Sequence, residues 1–475
     1  MDLKIIRESA QKKFDAKEYD SCLLLLEPHM SADNISTKEH KLYAEALFAK
    51  KDFAGALPSF QHNLRALGIK CGYSFFQKAR TAVRKANLPK NEQKKFWESC
   101  ANPKSKDFID SMQELFERNY TLAEKKLECG LKEIYQDDEI IGIWKESFLY
   151  LKTAMLGSDI HIEQPATIQK IIVSGMGWSG SSAFYDYFLE FDEISSLQGE
   201  MPFIESVYGL KNIFNSVGDT TQFINSCILF FYYSMLGHGK IQSAEIFKSF
   251  RKTAKRIKEL GPLVYAQKSR QVAKRIARCI NLTGKNNSIL CELSNLSTEV
   301  INQFATTDQS ARFILLDNDI HISAITLIKY IPDSYVLCSF RDPRSQYVAL
   351  TREFPGFSQT CDEFIESIAE KRKQADVDIE KTNQVLLESG STSRIQKIEF
   401  EEFVLSERYR DDLARSIGLD ISKRKKHSHF KPWESMRNIC IHQEHLITED
   451  IKKIETALRD YCREPSVIKL PPKEL

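Results

Sequence analysis

The sequence predicts a chain of two parts, an all-helical segment over residues 1–150 followed by an α/β domain over residues 165–475. The α/β part is expected to hold a parallel sheet flanked by helices. Three features predict this. Residues 1 to about 150 show helical periodicity and no strand signal. Beyond residue 165, short β-branched runs alternate with helical patterns, as in a parallel sheet with crossover helices. The first of these runs passes directly into glycine and serine, the punctuation of a strand–loop–helix turn.

The chain of 475 residues is long enough for two or three domains with a sizeable core. Lys plus Arg is 67 against 65 for Asp plus Glu, a balance that excludes a broad electropositive surface for nucleic acid. The 11 cysteines are scattered, with no CxxC pair and no zinc-finger spacing, which points to reduced thiols in a cytoplasmic protein. His427, His429, His442 and His445 show no metal-ligand pattern, so no metal is expected. The first residues, MDLKIIRESAQKKFD, are charged throughout and lack the apolar core of a signal peptide. The most apolar stretch, Phe223 to Leu236, is interrupted by Asn225 and Ser226 and falls short of the roughly 20 residues of a membrane span. It is expected to form a buried helix, with no transmembrane segment.

Within the helical part, Lys17-Glu18-Tyr19 with Cys22, Leu23 and Leu26 aligns with Lys51-Asp52-Phe53 followed by Ala56, Leu57 and Phe60. Ala10 maps onto Ala44 at the same offset of 34 residues. Small residues at Ala44 and Ala56 let two helices cross closely, and Tyr19 and Phe53 fill the turn between them. A third copy is expected between Phe108 and Gly130, with Tyr120, Ala123 and Leu127 in matching places. The pattern resembles the tetratricopeptide repeat, a helix pair of this period. The resemblance implies a surface for a protein partner or for self-association rather than a catalytic site.

Strands are expected at Gln169–Val173, Glu193–Leu197, Arg312–Leu316, Ser334–Phe340 and Arg394–Phe400. Residues 203–305 are almost wholly helical in pattern and too long for one crossover. They are expected to form a helical insertion near the strand ends, where it could wall an acceptor site.

Two segments carry the chemistry. The first strand runs into Ser174-Gly175-Met176-Gly177-Trp178-Ser179-Gly180-Ser181-Ser182, and a helix is expected from about Ser181. Glycines allow close backbone approach, successive N–H groups can face an anion, and the helix N-terminus adds partial positive charge. In the ATPase version of such a loop, a lysine stands where this chain has Ser181. The second segment is Arg341-Asp342-Pro343-Arg344, between the Ser334–Phe340 strand and a helix. Pro343 suits a helix start, Asp342 an N-cap, and the arginines offer planar donor forks suited to phosphate.

Ser179-Gly180-Ser181-Ser182 resembles the Ser-Gly-Thr-Thr core of the 5′-phosphosulfate loop of sulfotransferases. Arg341-Asp342-Pro343 is similar to their 3′-phosphate segment. The order of landmarks over residues 168–465 is similar too. Ile398 to Phe403 resembles the family's late strand and turn, and Phe430 to Asn438 the loop that closes over the nucleotide. The resemblance implies 3′-phosphoadenosine 5′-phosphosulfate as co-substrate, held by Gly177, Trp178, Ser179, Gly180, Ser181, Ser182, Arg341, Arg344 and Arg437. It implies transfer of a sulfuryl group to a hydroxyl of a glycan or similar acceptor. Glu200, after the second strand, resembles the catalytic base of carbohydrate sulfotransferases, with His321 a second candidate. The chain departs from the family where Trp178 replaces a Lys or Arg and Ala349 a Ser. Two other readings stay open: a different P-loop enzyme of kinase type, or a non-catalytic sulfotransferase-fold scaffold acting through its helical repeats.

Overall fold

In a computed structural model the described residues are 3–463, apart from 32–34, 68–72, 101–110, 112–113, 116, 197–201, 206–208, 237–256, 258, 306–310, 319, 354–358 and 444–447. They form a mixed α/β fold, mostly helical, with a small parallel sheet flanked by helices. The chain divides into two compact units. The first comprises residues 1–156, 206–208 and 225–270, and the second 157–205, 209–224 and 271–475. Residues 225–270, part of the segment read as an insertion, thus group with the N-terminal helices.

In the first unit the helix pair Leu3–Asp15 and Tyr19–Leu26 is followed by the pair Thr37–Ala49 and Phe53–Leu67. The turns inside the two pairs are alike in detail. Lys17 and Lys51 both take left-handed backbone, with φ of 62° and 66°. The Glu18 N–H donates to the Lys13 carbonyl at 2.9 Å and the Asp52 N–H to the Leu47 carbonyl at 3.0 Å. Such closure satisfies carbonyls that the end of a helix leaves open. Phe14 packs edge-on against Tyr19 at 5.5 Å, and Phe48 against Phe53 at 5.4 Å. Ala10, Cys22, Ala44 and Ala56 are fully buried, so the small residues stand where the helices meet. Arg118 repeats the turn, with φ 63° and the Asn119 N–H on the Glu114 carbonyl at 2.8 Å, ahead of the helix Tyr120–Ile134. Ala123 and Leu127 are buried there, while Phe108 lies outside the described residues.

The apolar stretch from Phe223 falls in the helix Thr220–Leu236, with Phe223, Cys227, Ile228, Phe230 and Phe231 buried. Among the described residues no helix is long and apolar enough to cross a membrane. The described cysteines are all free thiols.

The second unit holds five parallel strands, β1 (Gln169–Gly175), β2 (Ile194–Ser196), β3 (Phe313–Asp317), β4 (Ser334–Phe340) and β5 (Arg394–Glu399), in the order β2-β3-β1-β4-β5. Each matches a run expected from the sequence to within two residues at either end. The inner strands read as continuous apolar runs because both faces are covered. On one face Ile171, Val173, Leu315, Leu337 and Ile398 pack with Phe184, Phe188 and Phe403. On the other, Ile172, Ile314, Leu316, Val336 and Cys338 are equally buried.

After β1 the chain moves outward to β2 and β3 on one side, then crosses to β4 and β5 on the other. The carboxyl ends of β1, β3 and β4 therefore border a crevice where the strand order reverses, the place where open α/β sheets bind ligands. The register sets Val173 beside Asp317 and Gly175 beside Ser339.

A buried cluster fixes the late segment to the first helix of this unit. Glu190 accepts from Arg424 Nε at 2.7 Å and from the Phe430 N–H at 3.0 Å. The Arg424 guanidinium stacks on Tyr187 at 4.4 Å and that of Arg410 on Phe430 at 5.1 Å. A buried charge is tolerated when paired and hydrogen-bonded, as Arg424 is by Glu190 and Asp411, while Arg410 donates to the carbonyls of Phe403 and Val404. The helix Pro432–Met436, which leads to Asn438, starts just beyond this anchor.

Candidate functional site

A cavity of about 490 Å³ opens at the carboxyl edge of the sheet. Gly175, Met176, Gly177, Trp178, Gly180, Ser181, Ser182 and Ala183 form its floor, with Asp186 one helical turn beyond Ser182. Asn318 and His321 follow the end of β3, Arg341 and Ala349 come from the end of β4 and its helix, Phe400 from the start of the helix after β5, and Ser435 and Asn438 from the late segment.

The loop is tight. Gly180 caps the Ser181–Phe188 helix with φ 87° and ψ 17°, a conformation that costs other residues about 1–2 kcal/mol. A Cβ on Gly180 would collide with the ring of Phe400. Trp178 also adopts left-handed backbone, with φ 59°. The Ser179 N–H closes a turn onto the Met176 carbonyl at 2.9 Å. Asn318, itself at φ 51°, donates from Nδ2 to Ser181 Oγ at 3.2 Å and so ties the β3 end to the helix start.

Three donors from β4 and its helix hold the loop carbonyls. Gln346 Nε2 donates to Gly177 O at 2.6 Å, Arg341 Nη1 to Trp178 O at 3.1 Å, and Ser339 Oγ to Ser179 O at 2.7 Å. Arg341 also donates from Nη2 to Asn438 O at 2.5 Å, and its guanidinium lies 5.2 Å from the Phe400 ring centre. One buried guanidinium thus joins the loop, the β5 end and the late segment. Arg372 donates in turn to the Arg341 carbonyl.

Around this cation the charges are ordered. Burial pushes the Asp342 carboxyl up, but hydrogen bonds from Arg344 and from the Arg463 N–H outweigh it and hold the carboxyl below its usual range. Burial pushes the Glu401 carboxyl up, although it accepts from the Asp342 N–H at 3.0 Å. Burial also raises Asp186, against the opposing pull of His429, while Glu190 and Glu434 add to the rise. No His, Cys, Asp and Glu cluster among the described residues could hold a metal ion.

The residues expected from the sequence fall into four groups. Gly177, Trp178, Gly180, Ser181, Ser182 and Arg341 line one cavity, with Ser179 buried beneath the loop. Arg344 is directed elsewhere: it clamps Asp342 through Nε at 3.1 Å and Nη2 at 2.8 Å and does not line the cavity. Arg437 is exposed, between the lining residues Ser435 and Asn438. Glu200 lies outside the described residues, past the end of β2 at Ser196. Asn318, Phe400, Ser435, Asn438 and Asp186 line the cavity without having been expected individually. Asp186 had a readable signal, a polar residue four places after Ser182 on one helix face.

No family model, curated protein or solved structure matches the chain.

The arrangement is suited to an anionic group. A helix N-terminus, a glycine-containing loop and a buried arginine converge on one cavity. The fit to a nucleotide with two phosphate groups is uneven. The loop and the hydroxyls of Ser181 and Ser182 suit a 5′-phosphate. Beyond the loop and its helix Ala349 offers no hydrogen bond, which leaves Asn318, His321, Arg341, Ser435 and Asn438 as the polar residues among the described lining.

Proposed function

We propose that residues 165–475 act as a sulfotransferase domain using 3′-phosphoadenosine 5′-phosphosulfate. One observation carries the reading: the loop ending at Ser182 and Arg341, far apart in sequence, line the same cavity at the sheet edge. Gly177, Trp178, Ser179, Gly180, Ser181 and Ser182 receive the 5′-phosphosulfate. Arg341, with Ser435, receives the 3′-phosphate, and Arg437 reaches it from the late segment. Arg344 contributes by holding Asp342.

In this reaction the acceptor oxygen forms a bond to sulfur while the bridging sulfur–oxygen bond breaks. The electron pair of that bond remains on the phosphate of the departing 3′-phosphoadenosine 5′-phosphate. The acceptor proton passes to a base, for which Glu200 is the first choice. Positioning and charge stabilisation supply most of the rate, as in phosphoryl transfer. The acceptor is a hydroxyl of a glycan or similar molecule. The alike turns at Lys17, Lys51 and Arg118 support a tetratricopeptide-like array, which would dock a protein partner or a second copy. A cytoplasmic site of action and catalysis without a metal complete the proposal.

A second reading is binding without turnover. Trp178 at the loop's cation position and Ala349 in the cavity wall favour it.

Calorimetry with 3′-phosphoadenosine 5′-phosphate against ATP, on wild type and Arg341→Ala, tests the proposal. Preference for the bisphosphate, lost in the variant, is expected. Equal or tighter ATP binding would overturn it in favour of a kinase-type enzyme. Transfer of radiolabelled sulfate to mixed glycans separates turnover from binding alone, and unchanged transfer by Glu200→Gln would remove that residue as the base.

A further inference from the structure

The three donors on the loop carbonyls have a role beyond packing, one that rests on the phosphate-loop reading above. A trans peptide sends its C=O and N–H in opposite directions. Fixing the carbonyls of Gly177, Trp178 and Ser179 toward β4 and its helix therefore turns the N–H groups of Trp178, Ser179 and Gly180 the other way. The Ser179 N–H is used within the loop, on Met176 O at 2.9 Å. Those of Trp178 and Gly180 belong to residues that line the cavity. Arg341 also lines it, but Gln346 and Ser339 do not: they are 1% and 0% exposed, behind the loop.

We propose that Gln346 and Ser339 are positioning residues that set the peptide planes of the loop to receive the 5′-phosphate group, without touching the ligand. Gln346 has the larger share. Its amide sits at 2.6 Å from Gly177 O, next to the one loop glycine that has open space around its Cα and so no side chain to hold its orientation. Without that donor the Gly177 carbonyl loses its hydrogen bond and the Gly177–Trp178 peptide is less firmly held. Aiming donors before the ligand arrives removes the cost of ordering them on binding.

The test uses the full chain and two probes, 3′-phosphoadenosine 5′-phosphate and 3′-phosphoadenosine, which lacks the 5′-phosphate. Gln346→Met keeps the volume and removes the donor, while Gln346→Glu faces Gly177 O with an acceptor. Ser339→Ala is the third variant. Either Gln346 variant should weaken the bisphosphate about tenfold or more, the equivalent of about 1.4 kcal/mol, and Ser339→Ala about threefold. Affinity for 3′-phosphoadenosine should stay within about twofold of wild type in all three, since the loop's grip on the 5′-phosphate is what changes. A general structural defect would lower both affinities together, and that result would overturn the inference. So would Gln346→Met with wild-type affinity for the bisphosphate. If wild type binds neither probe, the sulfotransferase reading falls along with this one. If wild type binds and the variants bind equally well, only the positioning role falls.

Discussion

Arg341 Nη1 donates to the carbonyl of Trp178 at 3.1 Å, which ties the buried guanidinium to the loop between β1 and the Ser181–Phe188 helix. The two positions lie on different strands' ends and meet because β1 and β4 are hydrogen-bonded neighbours. One positive charge in contact with the loop thus comes from the end of β4. Arg serves here because its planar fork spans two carbonyls, those of Trp178 and Asn438, where an ammonium is a single point of charge.

Placing a cation within the loop should strengthen anion binding. Trp178→Lys keeps a non-glycine residue at the same left-handed backbone and adds a charge at the cavity floor. Affinity for 3′-phosphoadenosine 5′-phosphate should rise about threefold to tenfold at low salt and lose most of that gain near 1 M salt, where charges are screened within about 3 Å. Calorimetry across a salt series reads both effects. An affinity indifferent to the substitution would contradict an anion at this position.

Gly180 is the loop's most constrained residue. Gly180→Ala combines a left-handed φ of 87° with a collision against Phe400. The expected loss of stability is about 2–4 kcal/mol, part strain and part overpacking. Adding Phe400→Leu should recover the collision share and leave the backbone share. Urea midpoints of the two single variants and the double variant separate these contributions. A Gly180→Ala protein as stable as wild type would show that the loop relaxes freely.

Asp342 makes the site sensitive to acid. Its carboxyl is buried and held below the ordinary range in the fold, so it binds a proton less readily folded than unfolded. That sign means its contribution is complete above the unfolded value of about 3.9 and fades as pH falls through the lower folded value. Asp342→Asn leaves Arg344 without its nearest carboxylate and should cost about 3–5 kcal/mol at neutral pH. The gap between wild type and variant should close as pH drops below about 4, read from urea midpoints at several pH values. A gap constant from pH 7 to pH 3 would mean that Asp342 holds Arg344 by geometry alone.

Much of the α/β unit is legible locally. The inner strands β1, β3 and β4 stand out because an inner strand is apolar on both faces, while the edge strands β2 and β5 show only as short β-branched runs. The loop at Gly175–Ser182 is visible because left-handed backbone at Gly180 requires a particular residue. Position 178 is not legible in this way, since tryptophan gives no warning of a φ of 59°. The alike turns of the first unit were foreshadowed by spacing alone, because a helix pair of fixed length repeats its small and aromatic residues at a fixed offset.

The chain order alone therefore determined which segments are strands, which glycine-containing loop joins a strand to a helix, and which arginines stood at a strand end. Local chemistry is enough for this, since periodicity, glycine and capping residues act within a few positions. Only the tertiary structure decided between Arg341 and Arg344. Both follow β4, yet one guanidinium enters the cavity and the other closes on Asp342, and the difference arises from partners at Trp178, Asn438 and Arg463 that are distant in sequence. The same holds for Ser339 and Gln346, whose work behind the loop depends on the β1–β4 pairing. Such roles come from a donor meeting a particular carbonyl across the sheet, and that meeting is set by the register of whole strands.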